Sequence, residues 1–395
     1  MLTSLALIFL VGMVMGSVFK KLKLPSLLGM LFTGIVLGPH ALNLLDVKIL
    51  DISADLRKLA LIIILVRAGL SLDVKDLIKV GRPAVLMCFV PACFEIIGMI
   101  LLAPKLLNIS ILDALIMGAV VGAVSPAVVV PKMLSLMENG YGTNKSIPQL
   151  ILAGASVDDV FVIVMFTSFT GLAQGDKITA SGFLQIPISI VLGLIGGFLV
   201  GFLILELFKK FSMRDSSKVI VILSIAFLLV AAEDQLKGIV PFSGLLAVMS
   251  LGILIQKNNN ILSERISSKF SKLWVAAELI LFVLVGAAVD IEYAAKAGAS
   301  SILLILGVLL FRMIGVYICL LKTQLTKKER LFCMIAYTPK ATVQAAIGSV
   351  PLAMGLACGQ IVLTVSVIAI LITAPLGAFG IDVTYKRLLY HNPKQ

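Results

Sequence analysis

Two adjacent carboxylates, Asp158 and Asp159, lie in the middle of an apolar run that extends from Ile147 to Ala173. A helix needs about 20 residues to cross the hydrocarbon of a bilayer, so this run is long enough and the aspartates fall near its midplane. A charge at that depth costs about 2.5 to 3.5 kcal/mol on insertion scales. Neighbouring helix positions point about 100° apart, so one carboxylate can face a cavity while the other faces a partner. The pair predicts an ion or proton site; the alternative is a pair of static salt bridges.

The composition is that of a polytopic membrane protein. Of 395 residues, 60% are hydrophobic and 14% are charged, and the mean hydropathy is +1.11, which excludes a soluble globular domain. The net charge of +12 does not indicate nucleic acid, because the basic residues lie in short connections between apolar segments. The five cysteines show no CxxC spacing and have no neighbouring histidine. We therefore expect no cofactor, no nucleic acid and no soluble partner.

Thirteen apolar segments predict an all-α fold of about 13 transmembrane helices. Lys and Arg are concentrated in alternate connections, which places the N-terminus outside and the C-terminus in the cytoplasm. We expect an integral protein of a prokaryotic cytoplasmic membrane. The predicted spans are 2–19, 25–45, 56–72, 83–103, 111–134, 147–173, 182–208, 217–233, 239–256, 272–289, 298–321, 329–350 and 358–380.

Two of these spans are interrupted by proline beside polar residues. Span 5 contains Ser125 and Pro126, and span 12 contains Thr338 and Pro339 with Thr342 shortly after. Proline removes a backbone donor and clashes with the preceding turn, so each span is predicted to be broken there. Each is the fifth span of a six-span half, and span 7 lies between the halves. This arrangement predicts two inverted six-helix repeats with crossed broken helices and an ion site between them.

The charges deep in the spans do not balance. There are three carboxylates, Glu95, Asp158 and Asp159, but only two cations, Arg312 and Lys340. One carboxylate is therefore in excess and needs a proton or a bound cation. A group that exchanges one for the other is the core of a cation/proton antiporter. Arg312 stays protonated, so it can serve as a counterion but not as the proton carrier. Lys340 can offset the dipole of a half-helix C-terminus, and either cation can pair with Asp158.

At these residues the sequence resembles the monovalent cation/proton antiporter superfamily, in particular the sodium/proton antiporters with paired aspartates. The resemblance covers nearly the whole chain, and its most specific motif is the one around Pro339. The matching stretches are 65–70 (LVRAGL), 124–131 (VSPAVVVP), 156–160 (SVDDV) and 338–348 (TPKATVQAAIG).

The resemblance implies an elevator-type homodimer in the lipid membrane, in which a core carries the ion past a scaffold. The implied domains are scaffold and dimerisation helices 1 to 3 (1–82), core helices 4 to 6 (83–173), linker helix 7 (174–210), scaffold and dimerisation helices 8 to 10 (211–297) and core helices 11 to 13 (298–395).

The resemblance also assigns roles within the site. It implies that Asp159 is the principal cation and proton ligand, that Asp158 is its partner, and that Arg312 is the basic residue of the third helix from the end. Glu95 is then expected to be the ion-pair partner of Arg312. The expected cargo is Na⁺ or Li⁺, because carboxylate oxygens and the Ser125 hydroxyl are hard donors.

Three other functions fit these residues less well than cation/proton exchange. A sodium-coupled symporter of a small organic anion shares the broken helices, but an anion site favours excess positive charge. An intramembrane aspartyl protease needs its two aspartates on different helices, whereas here both lie on one. An open channel fits poorly with an unbalanced carboxylate buried between broken helices. We therefore expect a transporter and not an enzyme.

Overall fold

The computed structural model describes residues 1–72, 81–174, 180–236 and 240–391. Within these ranges the chain is helical, with one isolated antiparallel bridge between Tyr141 and His391. Parts of the predicted domains 1–82, 174–210, 211–297 and 298–395 lie outside the described residues. The helices are Leu2–Lys21 (α1), Ser26–Leu37 (α2), Val47–Asp51 (α3), Ser53–Ser71 (α4), Arg82–Met87 (α5), Val90–Leu107 (α6), Ile111–Val121 (α7), Pro126–Glu138 (α8), Ile147–Ala173 (α9), Ala180–Lys210 (α10), Asp215–Leu236 (α11), Gly244–Asn258 (α12), Asn260–Ala287 (α13), Ile291–Cys319 (α14), Lys327–Ala336 (α15), Thr342–Ile347 (α16), Val350–Ala353 (α17) and Gly359–Leu388 (α18).

A helix, or a short series of helices, lies at each of the thirteen predicted spans. Among the described residues, nine stretches are long and apolar enough to cross a membrane, and α2, α12 and the α16–α17 stretch are shorter apolar helices. Spans 2 and 9 are therefore shorter than predicted. The reason is proline, since Pro39 follows α2 closely and Pro241 precedes α12, and neither residue can donate to a helix backbone.

Both predicted breaks are present. Helix α7 ends at Val121 and α8 begins at Pro126, and α15 ends at Ala336 while α16 begins at Thr342. A third break, between α5 and α6, was not predicted from the sequence, which suggested a continuous span over 83–103. Pro91 lies in the first turn of α6, where its missing N–H is tolerated, so the chain restarts a helix there.

The chain divides into two compact units. The first contains Met1–Ala54, Lys75–Val162 and Leu279–Gln395, and the second contains Asp55–Val74 and Ile163–Glu278. The first unit includes the paired aspartates and both predicted broken helices. The division into scaffold and core helices stays a prediction.

In the first unit, α6 and α14 pack closely through glycines. A Cβ on Gly98 would lie 2.7 Å from Phe311 Cγ, and one on Gly315 would lie 2.8 Å from the backbone Cα of Pro91. Small residues let helix backbones approach in this way. Glu95 and Arg312 each lie three residues before one of these glycines, on the same helix face. The glycine contacts therefore bring an acidic and a basic side chain together.

In the second unit, the end of α4 is bound to α13 by two serines. Ser263 Oγ donates to Leu70 O at 2.7 Å, and the hydroxyls of Ser71 and Ser267 lie 3.0 Å apart. Hydroxyl groups that bridge neighbouring helices stabilise their packing. They fix the end of α4 next to α13.

A partly buried ion pair joins the loop before α9 to the start of α15. Lys145 Nζ lies 2.9 Å from Glu329 Oε2 and also donates to Gln324 O at 2.9 Å. Glu329 in addition completes a capping box with Thr326, in which each side chain receives a backbone N–H of the other residue. One carboxylate thus serves both the helix cap and the loop.

Replacing Glu329 by alanine is expected to lower stability by at least about 1.5 kcal/mol, because hydrogen bonds to a charged group are lost and Lys145 loses its carboxylate. The measurement is the unfolding midpoint of the purified protein in detergent, at a fixed heating rate. The exposed Glu138 at the end of α8 provides the control, since its replacement should change stability by no more than about 0.5 kcal/mol. Equal midpoints for the two variants would contradict the assigned role of Glu329.

Candidate ion-binding site

The two broken spans meet at their breaks. Ser125 N donates to Pro339 O at 2.7 Å, so the extended segment before α8 pairs with the extended segment before α16. Each break leaves backbone groups without the partners they would have in a continuous helix. In a buried position such groups must find other partners. The site is built from the side chains that supply them.

Proline leaves the first of these backbone groups without a helix partner. In a continuous helix Gly122 O would accept from residue 126, but Pro126 has no N–H. Arg312 Nη1 donates to Gly122 O instead. The adjacent carbonyl of Val121 accepts from Lys340 Nζ at 2.7 Å. Two cations therefore lie at the C-terminal end of half-helix α7, where the helix dipole is negative.

Arg312 is held from the other broken span as well. Its Nε donates to Tyr337 O at 2.7 Å, and its guanidinium carbon lies 5.0 Å from the centroid of the Tyr337 ring, within cation–π range. The Tyr337 hydroxyl donates to Met87 O at 3.0 Å, the carbonyl that Pro91 leaves without a helix donor. Tyr337 thus links the break in span 4 to the break in span 12.

Four fully buried charges form one network. Glu95 Oε2 lies 2.8 Å from Arg312 Nη1, and Lys340 Nζ lies 2.7 Å from Glu95 Oε1. Arg312 Nη2 lies 2.8 Å from Asp158 Oδ2, which also accepts from Val124 N at 2.9 Å. The two carboxylates and the two cations balance. The sequence left the partner of Asp158 open, and in the structure it is Arg312.

Asp159 stands outside this balance. Its residue is only 9% exposed, and within the described part of the chain it forms no salt bridge and its Oδ1 accepts no hydrogen bond. Asp158 Oδ1 is likewise buried and without a donor. Buried carboxylate oxygens that lack donors are costly unless they bind a proton or a cation. The excess carboxylate counted in the sequence therefore corresponds to Asp159.

The other residues singled out in the sequence lie at the same crossing. Ser125 is the N-cap residue of α8, and Thr342 is the first residue of α16; both hydroxyl oxygens are buried and have no partner among the described residues. Thr338 instead caps its own helix, because its Oγ1 donates to Ile335 O at 2.8 Å, the carbonyl that Pro339 deprives of a donor. Thr338 is therefore engaged with the backbone, whereas the other two hydroxyl oxygens are available.

Sequence reasoning missed two side chains of the site and one intramembrane charge. Gln344 lies within the 338–348 motif, and Tyr337 directly precedes it. Their side chains donate to backbone carbonyls that are close only in the folded chain. The charge count also omitted Glu278 on α13, which interacts electrostatically with Arg67 on α4 within the second unit. This pair adds one charge of each sign, so it does not itself alter the charge count.

Membrane helices broken at corresponding positions, crossed near buried acidic and basic groups, define the class of secondary active transporters. Comparison with known proteins places the chain within that class. Residues 5–386 match the family model described as "Sodium/hydrogen exchanger, transmembrane", and the chain belongs to this family.

Relatives and solved structures agree with the family. The chain is 33% identical to sodium/hydrogen exchanger 9B2 of Mus musculus, with 98% of this chain and 74% of the relative covered. It is 34% identical to the protein of the same name from Homo sapiens over 93% of this chain and 70% of the relative, and 30% identical to human sodium/hydrogen exchanger 9B1 over 98% and 78%. Among solved structures, the sodium proton antiporter MjNhaP1 of Methanocaldococcus jannaschii at pH 8 has a similar fold, with a TM-score of 0.85, 20% identity and 98% of each chain covered.

Family membership settles two of the sequence expectations. The chain is an integral membrane transporter with the sodium/proton antiporter fold, as predicted. It is not an enzyme, so the intramembrane protease interpretation is excluded.

Proposed function

We propose that this protein exchanges Na⁺ or Li⁺ for H⁺, with the cation and the proton competing for Asp159. The observation that carries the proposal is the charge balance of the site. Glu95, Asp158, Arg312 and Lys340 neutralise one another through contacts of 2.7 to 2.8 Å, whereas Asp159 is buried without a salt bridge among the described residues. A single buried carboxylate can bind one proton or one monovalent cation, so occupation by either excludes the other. The names of the relatives support the same cargo.

The neighbouring groups receive distinct roles in this proposal. Asp158 Oδ1, Ser125 Oγ and Thr342 Oγ1 are buried oxygens without partners, and hard oxygen donors suit a small hard cation. Arg312 holds Asp158 as a permanent counterion, because a guanidinium does not release its proton. Lys340 neutralises Glu95 and the end of half-helix α7. No resident cofactor is proposed.

The proposal includes the finer points implied by the resemblance. The protein is expected to work as a homodimer in a lipid membrane, by an elevator movement of core helices 4 to 6 and 11 to 13 against the scaffold. The concentration of Lys and Arg in alternate connections supports a cytoplasmic C-terminus and an outside N-terminus. We propose the cytoplasmic membrane of a prokaryote as its location.

The experiment measures the internal pH of liposomes that contain the purified protein and a pH-sensitive dye. A pH difference is imposed, and NaCl, LiCl, KCl or choline chloride is then added outside. Sodium and lithium are expected to change the internal pH within the first minutes, whereas choline should not, since it is too large for a site of buried oxygens. Repeating the measurement with the membrane potential clamped gives the stoichiometry.

One outcome would contradict the proposal. Responses equal to those of choline for all three metal cations, in protein that elutes as a folded species, would exclude cation/proton exchange. The sodium-coupled symporter would then be the alternative, and it is distinguished by sodium-dependent uptake of a labelled organic anion without a pH change.

A further inference from the structure

Three consecutive carbonyls at the C-terminal end of α7 accept hydrogen bonds from side chains of other helices or helix breaks. Val121 O accepts from Lys340 and Gly122 O accepts from Arg312, as described above. The third, Ala123 O, accepts from Gln344 Nε2 at 3.0 Å, and the same amide nitrogen lies 3.2 Å from Val121 O. Gln344 is fully buried on α16. Its two amide protons thus bind the first and the third of these carbonyls.

The proline break makes these contacts necessary. In a continuous helix Val121 O would accept from residue 125, but Ser125 N donates to Pro339 O instead. Lys340 and Arg312 donate to Val121 and Gly122, but both cations are shared with carboxylates. Gln344 is the neutral donor in this group, and in the described structure it is the side chain that donates to Ala123 O. Its hold on the segment therefore does not depend on the charge state of the site.

The segment that Gln344 holds leads directly into the candidate ion ligands. Val124, the residue after Ala123, donates its N–H to Asp158 Oδ2 at 2.9 Å, and Ser125, the next one, presents a hydroxyl oxygen without a partner. A displacement of Ala123 is transmitted to both residues, because the extended backbone between them has no intervening helix. Gln344 can therefore control the position of two site groups that it does not touch.

We propose that Gln344 is a positioning residue that sets the apparent affinity for the transported cation by fixing the Ala123–Ser125 backbone. It is neither a charge partner nor the carboxylate for which the cation and the proton compete. This inference rests on the proposed cation/proton exchange. The competing explanation is that Gln344 only stabilises the fold, which would reduce the amount of active protein without changing the affinity of the remainder.

The experiment compares wild type with Gln344→Leu and Gln344→Asn in the liposome assay over a range of NaCl concentrations. Leucine removes both donors at similar volume, whereas asparagine retains the amide on a side chain one methylene shorter. We expect the half-saturating Na⁺ concentration to rise about tenfold in the leucine variant, because Ala123 O loses its side-chain donor whereas Val121 O keeps Lys340. The rise should be smaller in the asparagine variant. The maximal rate per folded protein should change much less.

Ser366→Ala is the matched control. Ser366 is equally buried and donates within its own helix, to Val362 O at 2.6 Å, so its loss should leave the half-saturating concentration unchanged. An unchanged half-saturating concentration in Gln344→Leu would overturn the inference, and if that variant does not fold, the same result in Gln344→Asn would overturn it. Absence of both Na⁺-dependent and Li⁺-dependent exchange in wild type would instead refute the proposed function.

Discussion

Replacing Asp159 by asparagine is expected to abolish Na⁺-dependent and Li⁺-dependent proton movement while leaving the protein at least as stable as wild type. Asparagine has nearly the same shape, but it can neither bind and release a proton nor supply a negative charge to a cation. In liposomes the variant should give the pH trace of protein-free vesicles for every cation.

The stability half of this prediction follows from the charge balance. Asp159 has no salt bridge among the described residues, so its neutralisation breaks no ion pair and removes a buried charge that costs about 2.5 to 3.5 kcal/mol on insertion scales when ionised. The adjacent Asp158 is the opposite case, because it lies 2.8 Å from Arg312. Asp158→Asn leaves that guanidinium partly uncompensated and is expected to cost about 3 to 5 kcal/mol. Neighbouring residues of the same type thus differ in the sign of their effect.

Cation binding gives a second measurement on the same variants. A ligand that binds only the folded protein raises its stability in proportion to the logarithm of its concentration above Kd. NaCl should therefore raise the unfolding midpoint of wild type relative to equal choline chloride, and it should leave Asp159→Asn unchanged. A sodium response retained in Asp159→Asn, or a loss of stability as large as that of Asp158→Asn, would contradict the role assigned to Asp159.

The parts of the fold that the sequence predicted are those governed by local chemistry. Hydropathy located thirteen helical segments, because a membrane helix must satisfy its own backbone and present an apolar surface. Pro126 and Pro339 located the two breaks, since each removes a donor that a continuous helix needs. Pro91 was a weaker signal, because proline is tolerated in the first turn of a helix and does not by itself indicate a break. The break that it accompanies is seen only in the structure, where α5 ends at Met87 and the Tyr337 hydroxyl donates to Met87 O.

Only part of the charge pairing could be predicted from the sequence. The pairing of Glu95 with Arg312 is confirmed, whereas the partner of Asp158 was left open and the contact of Lys340 with Glu95 was not predicted. Arg312 lies 154 residues from Asp158, and Lys340 lies 245 residues from Glu95. Which cation meets which carboxylate depends on the close approach of α6 and α14 and on the crossing of the two breaks. The composition could establish that one carboxylate is in excess. Only the fold shows that Asp159 is the one without a salt bridge in the described structure.

Gln344 illustrates a second limit. A glutamine in an apolar helix is ordinarily a packing or interhelical hydrogen-bond residue, and its sequence motif does not say what it contacts. Its amide donates to carbonyls more than two hundred residues away. Val121 O lacks its helix partner because Ser125 N donates to Pro339 O, and Ala123 O lies in the non-helical segment between α7 and α8.

Glu95→Gln is expected to be among the most destabilising substitutions in the protein, by about 3 to 5 kcal/mol, because it leaves two buried cations facing one carboxylate. Glu95 lies 2.8 Å from Arg312 and 2.7 Å from Lys340, and all three side chains are fully buried. The expected consequence is a large fall in the unfolding midpoint and loss of exchange activity. The measurement is thermal unfolding in detergent at a fixed heating rate, followed by the liposome assay.

Removing the second charge should reverse much of this loss. In the double variant, Glu95→Gln is combined with Lys340→Met, so Arg312 and Asp158 remain as a balanced pair. The double variant is therefore expected to be more stable than Glu95→Gln alone. The coupling free energy between the two positions should be about 0.5 to 3 kcal/mol. The control is the half-exposed pair of Lys132 and Asp382 in the same unit, where Lys132→Met should cost no more than about 1 kcal/mol. If the two losses simply added, Lys340 would not compensate the charge of Glu95. The balance that leaves Asp159 free for the transported ion would then have to be assigned to other groups.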